Sequence, residues 1–195
     1  MNNYFVRHIL SALCFFLPSL AYAHVGVGST HGFISGIAHP IGGLDHLLAM
    51  VAVGIWAAQM GKRYIWVVPL AFVSVMALGG MLGISGITVP FAEQGIVISV
   101  LVMGILIAAA VKLPLAVSVV IVGSFAVFHG HAHGAEMPET VSGMAYGFGF
   151  ILSTALLHVC GIGFGLLMQR ISRPQLVRIA GVTIAVFGGY LCLAT

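Results

Sequence analysis

The sequence predicts an all-α, polytopic membrane protein: a bundle of six transmembrane helices after a cleavable signal peptide. Composition is the first reason. Of the 195 residues, 61% are hydrophobic and only 6% charged, against about 25% charged in a soluble globule, and the mean hydropathy is +1.17. Segmentation is the second. The apolar residues gather into six runs, each near the about 20 residues that a helix needs to cross a bilayer. The third is charge placement: with the mature N-terminus outside, alternate loops put Lys62, Arg63, Lys112, Arg170, Arg173 and Arg178 on the cytoplasmic side, as the positive-inside rule asks.

Residues 1–23 read as the signal peptide. Arg7 and His8 begin it, Ile9 to Leu20 form its apolar core, and Ala21-Tyr22-Ala23 is a small-x-small cleavage site. The alternative is an uncleaved anchor. A single domain, 24–195, follows. After a polar, Gly-rich lead from His24 to Ala38, the spans fall at 41–60, 65–82, 93–111, 114–129, 141–168 and 175–194, separated by Gly, Pro and basic residues. The break at Lys112-Leu113-Pro114 is either a very tight turn or a kink. Cys160 and Cys192 lie in apolar runs, so neither a disulfide framework nor a CxxC metal or redox motif is expected. The pI is near 9.0, but seven Lys and Arg are too few and too scattered for a nucleic-acid face.

The first span opens on His39-Pro40-Ile41-Gly42-Gly43-Leu44-Asp45-His46 and continues to Met50. Ionisable groups within a membrane cost several kcal/mol unless paired or wetted. Imidazole, carboxylate and thioether together suit a metal better than packing alone requires; the alternative is a polar knot pinning helices. In a continuous helix, His39 and His46 share one face and Met50 extends it, with Pro40 as a first helical residue and Gly42 and Gly43 admitting a neighbouring backbone.

A second cluster, His129-Gly130-His131-Ala132-His133-Gly134-Ala135-Glu136, ends the fourth span. If the helix continues through Gly130, His129 and His133 share a face and His131 points elsewhere; if it unwinds, all three imidazoles can turn to one ion. His131 then reads as a surface relay. His158, in the middle of the fifth span, is either a core histidine or a deeper ligand with Cys160 as a soft donor beside it; the preferred reading of Cys160 is a small buried hydrophobe. Glu93 marks the mouth of span three. His31 lies on the same outer side, and His24 would become a chelating N-terminus on cleavage.

These motifs carry a resemblance. His39-Pro40-x-x-Gly43-x-Asp45-His46 with Leu48-Ala49-Met50 and Gly54, then Phe128-His129-Gly130-x-Ala132-His133-Gly134-x-Glu136-x-Pro138, then Thr154-Ala155-Leu156-Leu157-His158, resemble the HupE/UreJ proteins, metal permeases associated with hydrogenase and urease maturation. The resemblance covers essentially the whole chain. It implies nickel uptake by facilitated diffusion, with the first two motifs supplying essential ligands; His131 falls at a variable position and receives no family role.

The expectation is therefore a permease of the bacterial inner membrane with a periplasmic N-terminus, not an enzyme, carrying Ni²⁺ or Co²⁺, with Zn²⁺ also compatible. His39, Asp45, His46, His129, His133 and Glu136 form the metal site. His24, His31, Met50, Glu93, His131 and His158 are secondary or pathway positions. Partners are the ion, the bilayer and hydrogenase or urease maturation proteins, without nucleic acid or an organic cofactor. Metal and protons compete for imidazole, so binding weakens below about pH 6. No Walker-type element points to ATP hydrolysis. The competing classes are a metal-binding accessory or sensor, and an intramembrane metalloenzyme in which Glu136 or Asp45 serves as base.

Overall fold

The computed structural model describes residues 29–137 and 142–194. The expected signal peptide, its cleavage site and His24 lie outside the described residues, and so does the side chain of His31. The described residues form seven helices: α1 (Ser29–Gly42), α2 (Leu44–Met60), α3 (Tyr64–Ile84), α4 (Ala92–Ala108), α5 (Leu115–Ala135), α6 (Gly143–Arg170) and α7 (Pro174–Ala194). Four of them, α3, α5, α6 and α7, are long and apolar enough to cross a membrane; α1 and α2 together make a fifth, bent by 81° at their junction, and α4 is a shorter apolar helix of 17 residues. The chain is thus an all-α protein with four to five helical candidates for membrane spans.

The first span departs most from expectation. The polar lead is helical from Ser29, and Pro40 lies inside α1, near its end, rather than opening a helix. The helix breaks at Gly43, which takes an extended conformation with φ −95° and ψ 116°. Two consecutive glycines are the weakest helix formers short of proline, and packing wins over propensity upstream: α1 lies against α6, where a Cβ on Gly36 would collide with the Tyr146 carbonyl.

α2 is the hub. Ten of its 17 residues are buried, from His46 to Ala58, because it is enclosed by α6, α4, α3 and α7; a helix apolar all round belongs in such a position. α3 pairs with α5, and α4 with α7. Glycine sets the closest approaches: a side chain at Gly130 would meet the Met76 carbonyl, and one at Gly54 the His158 carbonyl. α5 continues unbroken through Gly130 to Ala135, so His129, His131 and His133 all ride on a helix. The tight turn at 109–114 is real, with Ala110 in the left-handed region at φ 52°.

At the basic end, side chains tie helix ends together. Trp56 Nε1 donates to the Val111 carbonyl (3.0 Å), Gln59 Nε2 to Ile107 (3.1 Å), Tyr64 Oη to Leu113 (3.1 Å), Gln169 Nε2 to Ala58 (2.9 Å) and Arg178 Nε to Ala108 (2.8 Å). Two of those acceptors, Ala58 and Ala108, are carbonyls in the last turn of their helices, which the helix itself leaves without a partner, while the Ile107 carbonyl also accepts from the Ala110 backbone N–H.

Candidate metal centre

The bend at Gly43 makes the site. Along a straight helix, residues seven apart are separated by about 10.5 Å of axial rise; the His39 and His46 ring centroids are 6.1 Å apart. The two rings therefore meet because the helix is broken, not because they share one face. His133, from α5, comes between them, with ring centroids 4.5 Å from His39 and 4.4 Å from His46. His129, one turn earlier on α5, is 5.1 Å from His46. Gly43 has a second function: a Cβ there would stand 2.9 Å from Asp45 Oδ1 and 3.0 Å from His46 Nδ1. Gly42 meets nothing. The space that Gly43 leaves is taken by a side-chain pair rather than by a neighbouring backbone.

Hydrogen bonds assign the ring protons. His46 Nδ1 lies 2.7 Å from Asp45 Oδ1, an oxygen that also accepts from the His46 backbone N–H at 2.8 Å. The ring proton therefore belongs on Nδ1, which leaves the Nε2 lone pair free. Ser99, on α4, performs the same service for His129. Its hydroxyl donates to the Ile96 carbonyl at 2.6 Å, so it accepts from His129 Nε2–H at 3.0 Å, leaving the Nδ1 lone pair free. His46 Nε2, His129 Nδ1 and both nitrogens of His133 are buried without a hydrogen-bond partner. The orientation of a ligand ring by a carboxylate or hydroxyl is a familiar arrangement around metal-binding histidines.

Ligand atoms of His46, His129 and His133 lie within 4.8 Å of one another, and a second such group comprises His39, His133 and Glu136. His133 belongs to both. The first is deeply buried, while Glu136 is exposed just beyond α5. Together they run from surface to interior. An apolar cavity of about 260 Å³ borders His133, walled by Met76, Met81, Met137, Met144, Tyr146 and Phe150 among others.

Other expected residues lie elsewhere. Asp45 Oδ1 is engaged by His46, so Asp45 reaches the cluster through that ring. His131 is buried rather than a surface relay; its Nε2 sits 2.8 Å from the Ile87 carbonyl and 3.2 Å from the Val89 backbone nitrogen, pinning the α3–α4 loop. Glu93 is exposed in the first turn of α4 and belongs to neither ligand group. Met50 and His158 are fully buried, below the imidazoles, and Cys160 is exposed rather than buried. The sequence reading missed Ser99 and Phe72. A lone serine in the apolar run Ile96–Leu106 was the available signal for the first. Phe72, whose ring stands 5.6 Å from His129 and 5.2 Å from His158, carried none.

The family model described as HupE / UreJ protein matches residues 12–191. The chain belongs to the HupE/UreJ family. A curated relative, "Protein HupE" of Rhizobium leguminosarum bv. viciae, is 46% identical over 175 residues, covering 90% of this chain and 91% of that one. No solved structure matches. Membership gives the imidazole cluster a context among hydrogenase and urease accessory proteins of the membrane, and both of its motifs lie inside the matched region.

Proposed function

We propose that this HupE/UreJ protein is a six-span permease of the bacterial inner membrane, carrying Ni²⁺ and, with similar ligand preference, Co²⁺ from periplasm to cytoplasm by facilitated diffusion for hydrogenase or urease assembly. In this reading a signal peptide, 1–23, precedes one transmembrane unit, 24–195, with its N-terminus periplasmic; α1 and α2 make one broken span and the 17-residue α4 another. The observation that carries the proposal is the convergence of three buried imidazoles, with lone pairs unspent, from helices α2 and α5. Nitrogen donors of intermediate hardness suit nickel, cobalt, zinc and copper, and ligand type alone does not divide them; family membership supports nickel or cobalt.

Glu136 and His39 would receive the ion at the surface, and His133, common to both ligand groups, would hand it inward to His46 and His129. Asp45 and Ser99 hold the rings of those two in the binding tautomer. The buried cluster needs neutral imidazoles, so the ion displaces protons and binding weakens in acid.

Purified protein in liposomes with an entrapped metal-sensitive dye tests this reading. Nickel should enter, and His133→Ala should reduce the rate at least about 100-fold, exceeding the 10–100-fold typical of losing a supporting residue. Tight nickel binding without entry would instead identify an accessory or sensor, and absence of both would end the metal reading.

A further inference from the structure

Beneath the imidazole cluster is a second set of donors that the mechanism above does not use. His158 is 1% exposed, and neither ring nitrogen has a hydrogen-bond partner. An imidazole N–H sealed from water without an acceptor is destabilising, so the position calls for a ligand or a guest. One turn earlier on α6, on the same face, the Thr154 hydroxyl lies 3.3 Å from Met50 Sδ and 3.7 Å from Met76 Sδ. Helices α2, α3 and α6 thus each bring a neutral donor side chain to one place. Met50, Met76 and Thr154 are no more than 2% exposed. The Phe72 ring is the layer between this set and His129.

The donor chemistry differs from that above. The chain has four acidic residues, at positions 45, 93, 136 and 139; α3 and α6 carry none, and the one on α2, Asp45, is bonded to His46 in the first turn. Two thioethers, a hydroxyl and an imidazole are uncharged and softer than the outer set. A neutral site holds a dication less tightly than one backed by carboxylates, as onward release requires. Building on the permease reading, we propose that Met50, Met76, Thr154 and His158 form a second, soft station for the transported cation, to which the imidazole cluster delivers it and from which it leaves toward the cytoplasm. Leucine would fill the same volume, and Leu for Met is a well-tolerated exchange in cores. Leucine therefore separates ligation from packing.

The test uses full-length protein carrying Cys14→Ser, Cys160→Ser and Cys192→Ser and, to remove the other thioethers of the apolar cavity, Met81→Leu, Met137→Leu and Met144→Leu, with Ag⁺ as a thiophilic probe and Ni²⁺ as cargo. With the outer site removed by His46→Ala and His133→Ala, X-ray absorption of the Ag⁺-loaded protein should show a sulfur-containing shell, and Met50→Leu with Met76→Leu should abolish it. With the outer site intact, the same leucine pair should leave equilibrium Ni²⁺ binding to the imidazoles unchanged while liposomal Ni²⁺ entry falls at least about tenfold. A sulfur shell surviving the leucine pair, or entry at the original rate, overturns the inner station. If the protein with both sites intact moves no nickel, the permease reading fails instead, and the absorption result still reports whether the soft site exists.

Discussion

The two ends of the bundle treat their side-chain polar groups in opposite ways. At the basic end, Trp56, Gln59, Tyr64, Gln169 and Arg178 each donate to a carbonyl on another segment. Toward the other end the pattern reverses. Of the nine buried side-chain nitrogen and oxygen atoms without a partner among the described residues, seven are imidazole nitrogens of His46, His129, His131, His133 and His158. Native structures leave few such atoms, and each calls for an explanation. Among the described residues the basic end leaves only Gln59 Oε1 in this state, on an amide whose nitrogen is bonded; the other end leaves a cluster of imidazole lone pairs, which the proposed ion would take. The difference suggests where function constrains the sequence and where stability does, and each end can be broken separately.

The sharpest break of the imidazole end that leaves every candidate nitrogen ligand in place is Asp45→Asn. The carboxylate fixes the proton on His46 Nδ1 and makes Nε2 a better donor. An amide can present its NH₂ group instead and drive the ring into the wrong tautomer, as a carboxylate-to-amide change does in the serine-protease triad. Nickel affinity, measured by equilibrium dialysis, should fall roughly 10–100-fold, the range for losing a ligand-orienting partner. Gly43→Ala attacks the same pair from the side and should move affinity in the same direction, since its new Cβ would stand 2.9 Å from Asp45 Oδ1. Unchanged affinity in both variants would mean that the Asp45–His46 bond does not organise the cluster.

Ser99→Ala is the milder version. It removes the acceptor for His129 Nε2–H, leaving that ring free to choose its tautomer, but it takes no charge from the site. An affinity loss near the lower limit, about tenfold, is expected, and Ser99→Thr, which keeps the hydroxyl, should recover part of it. Recovery by threonine separates an orienting hydroxyl from mere loss of volume.

How much of this the sequence could reveal follows from the same asymmetry. The membrane class, the histidine motifs and the basic end are legible because they rest on residue type and spacing, which survive small errors in helix limits. The first span is not. A polar, Gly-rich lead reads as coil until α6 is known to pack against Gly36, and a Gly-Gly pair does not announce an 81° bend. His39 and His46 could be assigned to one site, but for the wrong geometric reason. His129 and His133 were placed correctly on one face if the helix held, and it holds. Ser99 escaped because a lone serine bonding a carbonyl three residues back is unremarkable in a membrane helix; only the facing imidazole gives it meaning. Phe72 and Met76 depend wholly on which helices adjoin, which no local pattern encodes.

The smallest expected effect comes from the basic end and completes the contrast. Tyr64→Phe removes the hydrogen bond to the Leu113 carbonyl while keeping the ring. A typical net loss is about 0.5–1.5 kcal/mol, to be read as a lowered thermal midpoint in detergent. Tyr64 opens α3 at the end of the bundle remote from the imidazoles, and Leu113 lies in the turn before α5, so no ligand ring depends on this bond for its tautomer or position. Nickel affinity should therefore stay within experimental error of the unsubstituted protein. If affinity fell in parallel with stability, the ends would be coupled through α5, which runs from that turn to His133, and the division between a structural end and a metal-binding end would have to give way to a single cooperative unit.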